Sequence, residues 1–439
     1  MIDVPARYLT LRPVLRRPEQ SGIFGSIPWM APGIAVSFRK SCRVSRTKAV
    51  FPPVKFCLAL WLAVALPGSA FAEPFTTKAP VAFLVDEASG SILLDKNADQ
   101  RIEPAAMAKL MTMAVVGQAL KHNEISLETT YPISVETWRK GGAPSGSATM
   151  FAPVKSRVRV ADLLRGAIVQ AANDACYALS EGMTGKLDGL VPRMNALAAE
   201  IGLHHTVFRN VTGFADSEQT TTARDLATLI AWLRTNEPEV FAIYGEKDFT
   251  WNKIRQTNRN PLLTLDLGVD GGSTGASETA GFGLVISAVH GAQHFILVLH
   301  GLKSVNERAE EAKRLLQWAE ESFEPKTAFA KGAVVARAAV FGGSTAEVPL
   351  VADHDVDVLT LKQEEEKLTA QVVYDGPVEA PIRTGDVVGR LRIMREGQVS
   401  LEVPLHAAAD VPVGSLPRRA FGAIYELGVG LVRGERKQR

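Results

Sequence analysis

The sequence predicts an α+β domain followed by a small all-β domain, and three observations predict it. Strand-like runs lie at both ends of residues 76–323 with helical periodicity between them, which suggests an antiparallel sheet assembled from the two extremes around a helical cluster. After Glu324 the texture changes to short β-branched runs separated by turns, the pattern of a separate β domain over residues 324–408. Within residues 76–323 the stretch from Pro104 to Leu120 is apolar almost all round, as a helix buried in a core must be.

The elements follow in order. "VAFLVDEASGSILLDKNADQ" alternates apolar and polar residues on either side of Ser89-Gly90, which predicts a hairpin. A helix is expected from Pro104, because proline is favoured at the first helical position. Further helices are expected in "VADLLRGAIVQAANDACYALSEGM", "LVPRMNALAAEIGL", "TTARDLATLIAWLRT" and "NERAEEAKRLLQWAEESF". Two adjacent strands, "GFGLVISAVHG" and "QHFILVLHG", are joined by a short turn. The β domain is expected to use "GAVVARAAVF", "DVDVLTLK", "LTAQVVYD" and "VVGRLRIMREGQVSLEVPL".

At 439 residues the chain has room for two domains at roughly 150 residues each. Its net charge of +2 hides an asymmetry. Residues 1–55 carry ten Lys or Arg against Asp3 and Glu19, so the rest holds 49 − 10 = 39 basic and 47 − 2 = 45 acidic side chains, a balance of −6. That argues against a nucleic-acid partner. Lys55 is followed by the apolar run "FCLALWLAVAL" and by "SAFA", the layout of a secretory signal peptide with cleavage expected after Ala72. Residues 1–72 therefore read as leader and signal peptide, the first fifty or so as an over-extended start. Cys42 and Cys57 fall in that segment and leave Cys176 alone, a small buried hydrophobe in "ACYALSE". The histidines are scattered without ligand spacing, so neither a metal nor another cofactor is expected.

Several quoted segments together resemble the D-alanyl-D-alanine carboxypeptidases among the low-molecular-mass penicillin-binding proteins. These are "DEASGSILLDKNAD", "LMT", "LLRGAIVQ", "NDACYALSEG", "NVTGFAD", "TTARDLA", "GVDGGSTG" and "AGFGLV". The resemblance runs from about Pro80 to the C-terminus and implies a β-lactamase/transpeptidase-like fold. It also implies a place in peptidoglycan metabolism, trimming stem peptides that end in D-Ala-D-Ala. Such serine enzymes carry a Ser-x-x-Lys on a central helix, a Ser-x-Asn in a loop and a Lys-Thr-Gly on an edge strand.

Each triplet departs from that pattern at a residue that does chemistry. The first reads Ala106-Met107-Ala108-Lys109, keeping the lysine and losing the serine oxygen that would form the acyl-enzyme. A methyl group is no nucleophile. The second reads Ala171-Ala172-Asn173, keeping the amide and losing the hydroxyl; the third reads Ser273-Thr274-Gly275, where the resemblance implies a lost cation for the terminal carboxylate. Losing the nucleophile alone costs a serine hydrolase about a millionfold. Lys109 is then expected to be structural, hydrogen-bonding to Asn173 across the cleft. The resemblance implies that substrate backbone is bound here by strand addition, for which Thr274, Gly275 and Ser277 retain main chain and a hydroxyl; the alternative is that they merely terminate a strand. Asp270 reads as a turn residue, and Arg224 and Asp225 as a helix cap or local ion pair.

Two function classes follow. In one, the chain is an exported, catalytically impaired relative that binds stem peptides or cell-wall enzymes. In the other it is a working carboxypeptidase served by displaced hydroxyls, for which Ser145, Ser147 and Thr149 are the spare groups. The β domain as the functional part, with the first domain a platform, is a further option. Residues 412–439 place Leu416, Ala420, Phe421, Ile424, Leu427 and Leu431 at helical spacing among arginines. That pattern suits an amphipathic helix on the inner-membrane surface, a reading the resemblance favours over packing on the β domain.

Overall fold

The computed structural model describes residues 7–11, 75–362, 368–417 and 419. The expected cleavage site after Ala72 and the tail from residue 420 onward lie outside the described residues. Among them no helix is long and apolar enough to cross a membrane.

The first domain is built on a five-stranded antiparallel sheet in the order Ile92–Lys96, Val81–Asp86, Gln293–Leu302, Gly281–His290, Val269–Ser277. The hairpin expected around Ser89-Gly90 forms there, and Gly90 takes φ +73° in its turn, a conformation glycine adopts without penalty. Strands from both chain extremes thus meet in one sheet, with Val269–Ser277 on an edge. Along the inner strands Val285, Ile296 and Val298 join the helical core. The alternate positions Leu284, Ile286 and Leu297 are equally buried and face the other side, as the period-two pleat requires. Helices Ala223–Asn236 and Val305–Ser322 pack on these strands.

The central helix is surrounded by that core. Met107, Leu110, Met111, Met113 and Val115 have no exposed surface at all, so its weak amphipathicity reflects burial on every side. Its start differs from the expectation at Pro104. Ala105–Ala108 form a turn of 3₁₀ helix and the α-helix begins only at Lys109, running to Lys121. The stretch from Val160 to Met183 likewise divides into two helices, Val160–Val169 and Asn173–Thr184. They break at Ala171, whose φ is +55°. Asp270 lies within the edge strand and not in a turn; its Oδ2 is 3.7 Å from His294 Nε2.

The second domain has its own apolar core, with Val348, Leu350, Leu391 and Leu405 at the centre. A sheet runs in the order Leu368–Tyr374, Val387–Arg395, Gln398–Ala407, Glu347–Val351, Val334–Phe341, Val378–Glu379, and Arg7–Leu11 adds antiparallel to its first strand. Phe323–Phe329 pairs with Val356–Leu361 beside it. The domains are pinned together through the hairpin: Ser91 Oγ accepts from the Leu359 N–H at 3.1 Å, and Ile92 O accepts from Ser400 Oγ at 2.9 Å and Arg395 at 2.8 Å.

Candidate functional site

The first and third triplets meet at one edge of the sheet, and the second opens the helix Asn173–Thr184, which packs on the central helix. The turn carrying Ala106 is wedged between a loop and the edge strand. A side chain at Gly275 would place its Cβ 3.1 Å from Pro104 O and 3.3 Å from Ala106 N, so the turn would have to give by a few tenths of an ångström to admit one. On the other side Gly213 takes φ +79°, and a Cβ there would fall 1.9 Å from Ala105 O. Ala105 itself has φ +47°. An alanine in the left-handed region costs roughly 1–2 kcal/mol, and residues held this way cluster at functional sites. Ala171 in the second triplet is a second such residue. The left-handed backbone thus lies next to Ala106 in the first triplet and at Ala171 itself in the second.

Lys109 is buried, with 4% of its surface exposed. Its Nζ donates to Thr212 O at 2.5 Å, not to Asn173 as the sequence suggested. One helical turn later Thr112 Oγ1 donates to Val211 O at 2.9 Å. Successive carbonyls of the loop are thus clipped to the central helix. The loop is shaped from within by Asn210, whose Oδ1 accepts from the N–H groups of Thr212, Gly213 and Phe214 at 3.2, 2.7 and 3.1 Å. Burial pulls the Lys109 amine below its ordinary value, with the neighbouring Cys176 acting against it, and pushes the Cys176 thiol up to about 11. Cys176 has no exposed surface, in keeping with a buried hydrophobe.

Asn173 opens the helix Asn173–Thr184 and is 5% exposed. Its Nδ2 donates to Ser147 Oγ at 3.0 Å. Its Oδ1 is buried and has no hydrogen-bond partner among the described residues. The next residue is its opposite in this respect. Asp174 accepts from Thr149 Oγ1 at 2.6 Å and from the N–H groups of Met150, Ala152 and Ala175 at 3.0, 3.1 and 3.0 Å. The spare hydroxyls are all engaged here: Ser145 Oγ and Ser147 Oγ share a hydrogen bond at 2.7 Å, and Thr149 serves Asp174.

On the edge strand Ser273 is partly exposed, while Thr274 and Gly275 are buried. Ala106 and Ala171 are partly exposed too. Lys109, Asn173, Thr274 and Gly275 are buried. Ser277 Oγ and Thr279 Oγ1 both donate to Glu103 Oε2, at 3.0 and 2.7 Å. Arg308, 5% exposed, reaches the strand from helix Val305–Ser322 and donates to Gly275 O and Gly283 O at 3.5 and 3.3 Å. Its burial brings the guanidinium down to about 10.

A family model described as D-alanyl-D-alanine carboxypeptidase matches residues 69–304, and one for the C-terminal domain of penicillin-binding protein 5 matches residues 323–413. The chain belongs to the D-alanyl-D-alanine carboxypeptidase family. It is 37% identical over 366 residues to the D-alanyl-D-alanine carboxypeptidase DacC of Escherichia coli, covering 82% of this chain and 90% of that protein. The Bacillus subtilis carboxypeptidase DacF is 28% identical over 339 residues, 76% of this chain and 86% of that one. Among solved structures, penicillin-binding protein 5 from Haemophilus influenzae superposes with a TM-score of 0.64 at 35% identity, over 77% of this chain and 99% of that chain. The fold is that of the family, a transpeptidase-like domain followed by an all-β domain.

Arg224 and Asp225 belong to the scaffold. Thr222 caps the helix through the Asp225 N–H at 3.0 Å, and Arg224 bridges Asp95 and Asp99 at 2.6 and 2.7 Å. Sequence reasoning passed over Glu103, Asn210, Gly213 and Arg308. Only the Asn-x-x-Gly spacing of "NVTGF" offered a local signal, since asparagine side chains habitually cap the turns that follow them.

Proposed function

We propose that this chain is an exported, catalytically impaired member of its family that holds D-Ala-D-Ala stem peptides along the Val269–Ser277 edge without hydrolysing them. The observation that carries the reading is Ala106. It occupies the partly exposed nucleophile position of the first triplet, beside a lysine whose amine is turned to Thr212 O. Acyl transfer needs an oxygen or sulfur nucleophile, and the nearby hydroxyls of Ser145, Ser147 and Thr149 are committed to one another, to Asn173 and to Asp174. Peptide binding by strand addition asks only for main chain and a hydroxyl; Thr274 keeps both, and Ser277 keeps its main chain while its hydroxyl is engaged with Glu103.

In this reading Lys109 and Asn173 are inherited framework, and Thr274, Gly275 and Ser277 form the binding edge. Residues 1–72 direct export, so that the exported chain would lack the Arg7–Leu11 strand; residues 76–323 bind, residues 324–408 form the accessory β domain, and the tail from residue 412 rests on the inner-membrane surface. Partner cell-wall enzymes would act where this chain holds the peptide. A working carboxypeptidase is the alternative, and reversion separates the two. Ala106→Ser alone recovers little hydrolysis, whereas Ala106→Ser with Ala171→Ser and Ser273→Lys recovers far more, because such residues act as a unit. Release of D-alanine from a pentapeptide ending in D-Ala-D-Ala is the assay. Full activity in the single reversion would overturn the roles given to positions 171 and 273, and release by the unaltered chain would restore the working-enzyme reading.

A further inference from the structure

We propose that the exported chain pairs with a second copy of itself through the strand Leu368–Tyr374, which becomes an open sheet edge once residues 1–72 are removed. The proposal rests on the export reading above and adds a partner. Leu368–Tyr374 is covered here by Arg7–Leu11, paired antiparallel with Arg7 opposite Tyr374 and Leu11 opposite Ala370. The edge therefore accepts an added strand, and the strand that fills it belongs to the segment that export discards. Open edges are normally blunted by charge, proline, bulges or shortness, and two other edges of the molecule follow that rule. The opposite end of the same sheet is Val378–Glu379, two residues lying between Pro377 and Pro381. In the first domain the outer strand Ile92–Lys96 carries Asp95 and Lys96. Leu368–Tyr374 reads "LTAQVVY", seven residues without charge or proline. Its register against Val387–Arg395 runs without a shift from Leu368 opposite Arg395 to Tyr374 opposite Gly389. A straight, uncharged edge of this length is a template for another strand.

The occupant is a second copy because the strand is complementary to itself. A two-fold axis through Gln371 sets Leu368 opposite Tyr374 of the second copy, Ala370 opposite Val372 and Thr369 opposite Val373, the reciprocal pattern that a symmetric dimer demands. Val372 and Tyr374 belong to the core of the β domain, and Leu368 and Ala370 pack against it. That register keeps every core-facing position opposite another core-facing one, as a sheet with one buried face requires. Thr369, Gln371 and Val373 share the other face. No like charges meet anywhere along the seven residues, so nothing in the strand opposes the pairing.

The test is sedimentation velocity on the full-length chain and on the chain from Glu73 to Arg439, which keeps both apolar cores. Strand pairing alone makes a small interface, so the shorter chain should dimerise at about 10–100 μM. The full-length chain, its edge occupied, should stay monomeric over that range. Gln371 is partly exposed and lies on the axis, so Gln371→Lys or Gln371→Glu in the shorter chain sets like charges directly opposite. Each should weaken the dimer about fivefold. An equimolar mixture of the two variants sets opposite charges there and should associate at least as tightly as the unaltered shorter chain, a recovery that misfolded variants could not give. A shorter chain that stays monomeric over the same range, a dimer indifferent to both substitutions, or equal association by the full-length chain overturns the proposal and leaves the export reading standing. N-terminal sequencing of the chain recovered after export tests that reading by itself: retention of Arg7–Leu11 overturns it, whatever the sedimentation shows.

Discussion

Asn173 and Asp174 are neighbours at the start of one helix, and their surroundings could hardly differ more. The Asp174 carboxylate collects four hydrogen bonds and ties the loop at Thr149–Ala152 to the helix. The Asn173 carbonyl oxygen, as deeply buried, collects none among the described residues. Asp174 is satisfied entirely within the scaffold, and Asn173 Oδ1 departs from the rule that buried polar groups are satisfied from within.

The sharpest way to break the comparison is to remove each side chain. Asp174→Ala strands three main-chain N–H groups and a threonine hydroxyl, and should cost about 3–5 kcal/mol in urea unfolding. Asn173→Ala gives up one bond to Ser147 and relieves an unpaired oxygen, so its cost should stay within about 1 kcal/mol. Equal costs would erase the distinction. Next in size is Gly213→Ala, where the added methyl carbon would fall on Ala105 O. About 3 kcal/mol is expected from the clash and the left-handed backbone together.

A pH series sharpens the same contrast at Lys109. Burial lowers its pKa in the folded state from 10.5, so above the folded value the native chain has released a proton that the unfolded chain still holds. Stability contributed by Lys109 therefore rises with pH up to about 10.5. The stability difference between the unaltered chain and Lys109→Met, measured by urea unfolding from pH 7 to pH 10, should move in favour of the unaltered chain. A flat difference would mean the lysine is not desolvated. The smallest effect is expected at Ala171→Gly, which relieves the left-handed backbone and should stabilise by about 0.5 kcal/mol.

Much of the scaffold was legible because its signals are local. Gly90 in the first hairpin and the period-two runs of the inner strands each announce their element within a few residues. The break at Ala171 was not legible, since neither glycine nor proline marks it and the left-handed alanine is held by tertiary packing. The 3₁₀ turn at Ala105–Ala108 was missed for the same reason: Gly213 and Gly275 press on it from far along the chain. The triplet positions could be placed by resemblance, but not the partner of Lys109. Its acceptor is a main-chain carbonyl 103 residues away, and every residue has such a carbonyl. Strand Glu347–Val351 escaped notice because Pro349 interrupts it, and proline within a run argues against a strand.

The central claim is that Ala106 leaves the cleft able to hold a peptide and unable to be acylated. Intact-mass measurement after incubating the full-length chain with a labelled penicillin tests it most directly. The unaltered chain should show no mass gain, because a β-lactam forms a stable adduct only with a competent nucleophile. A stoichiometric covalent adduct would contradict the account.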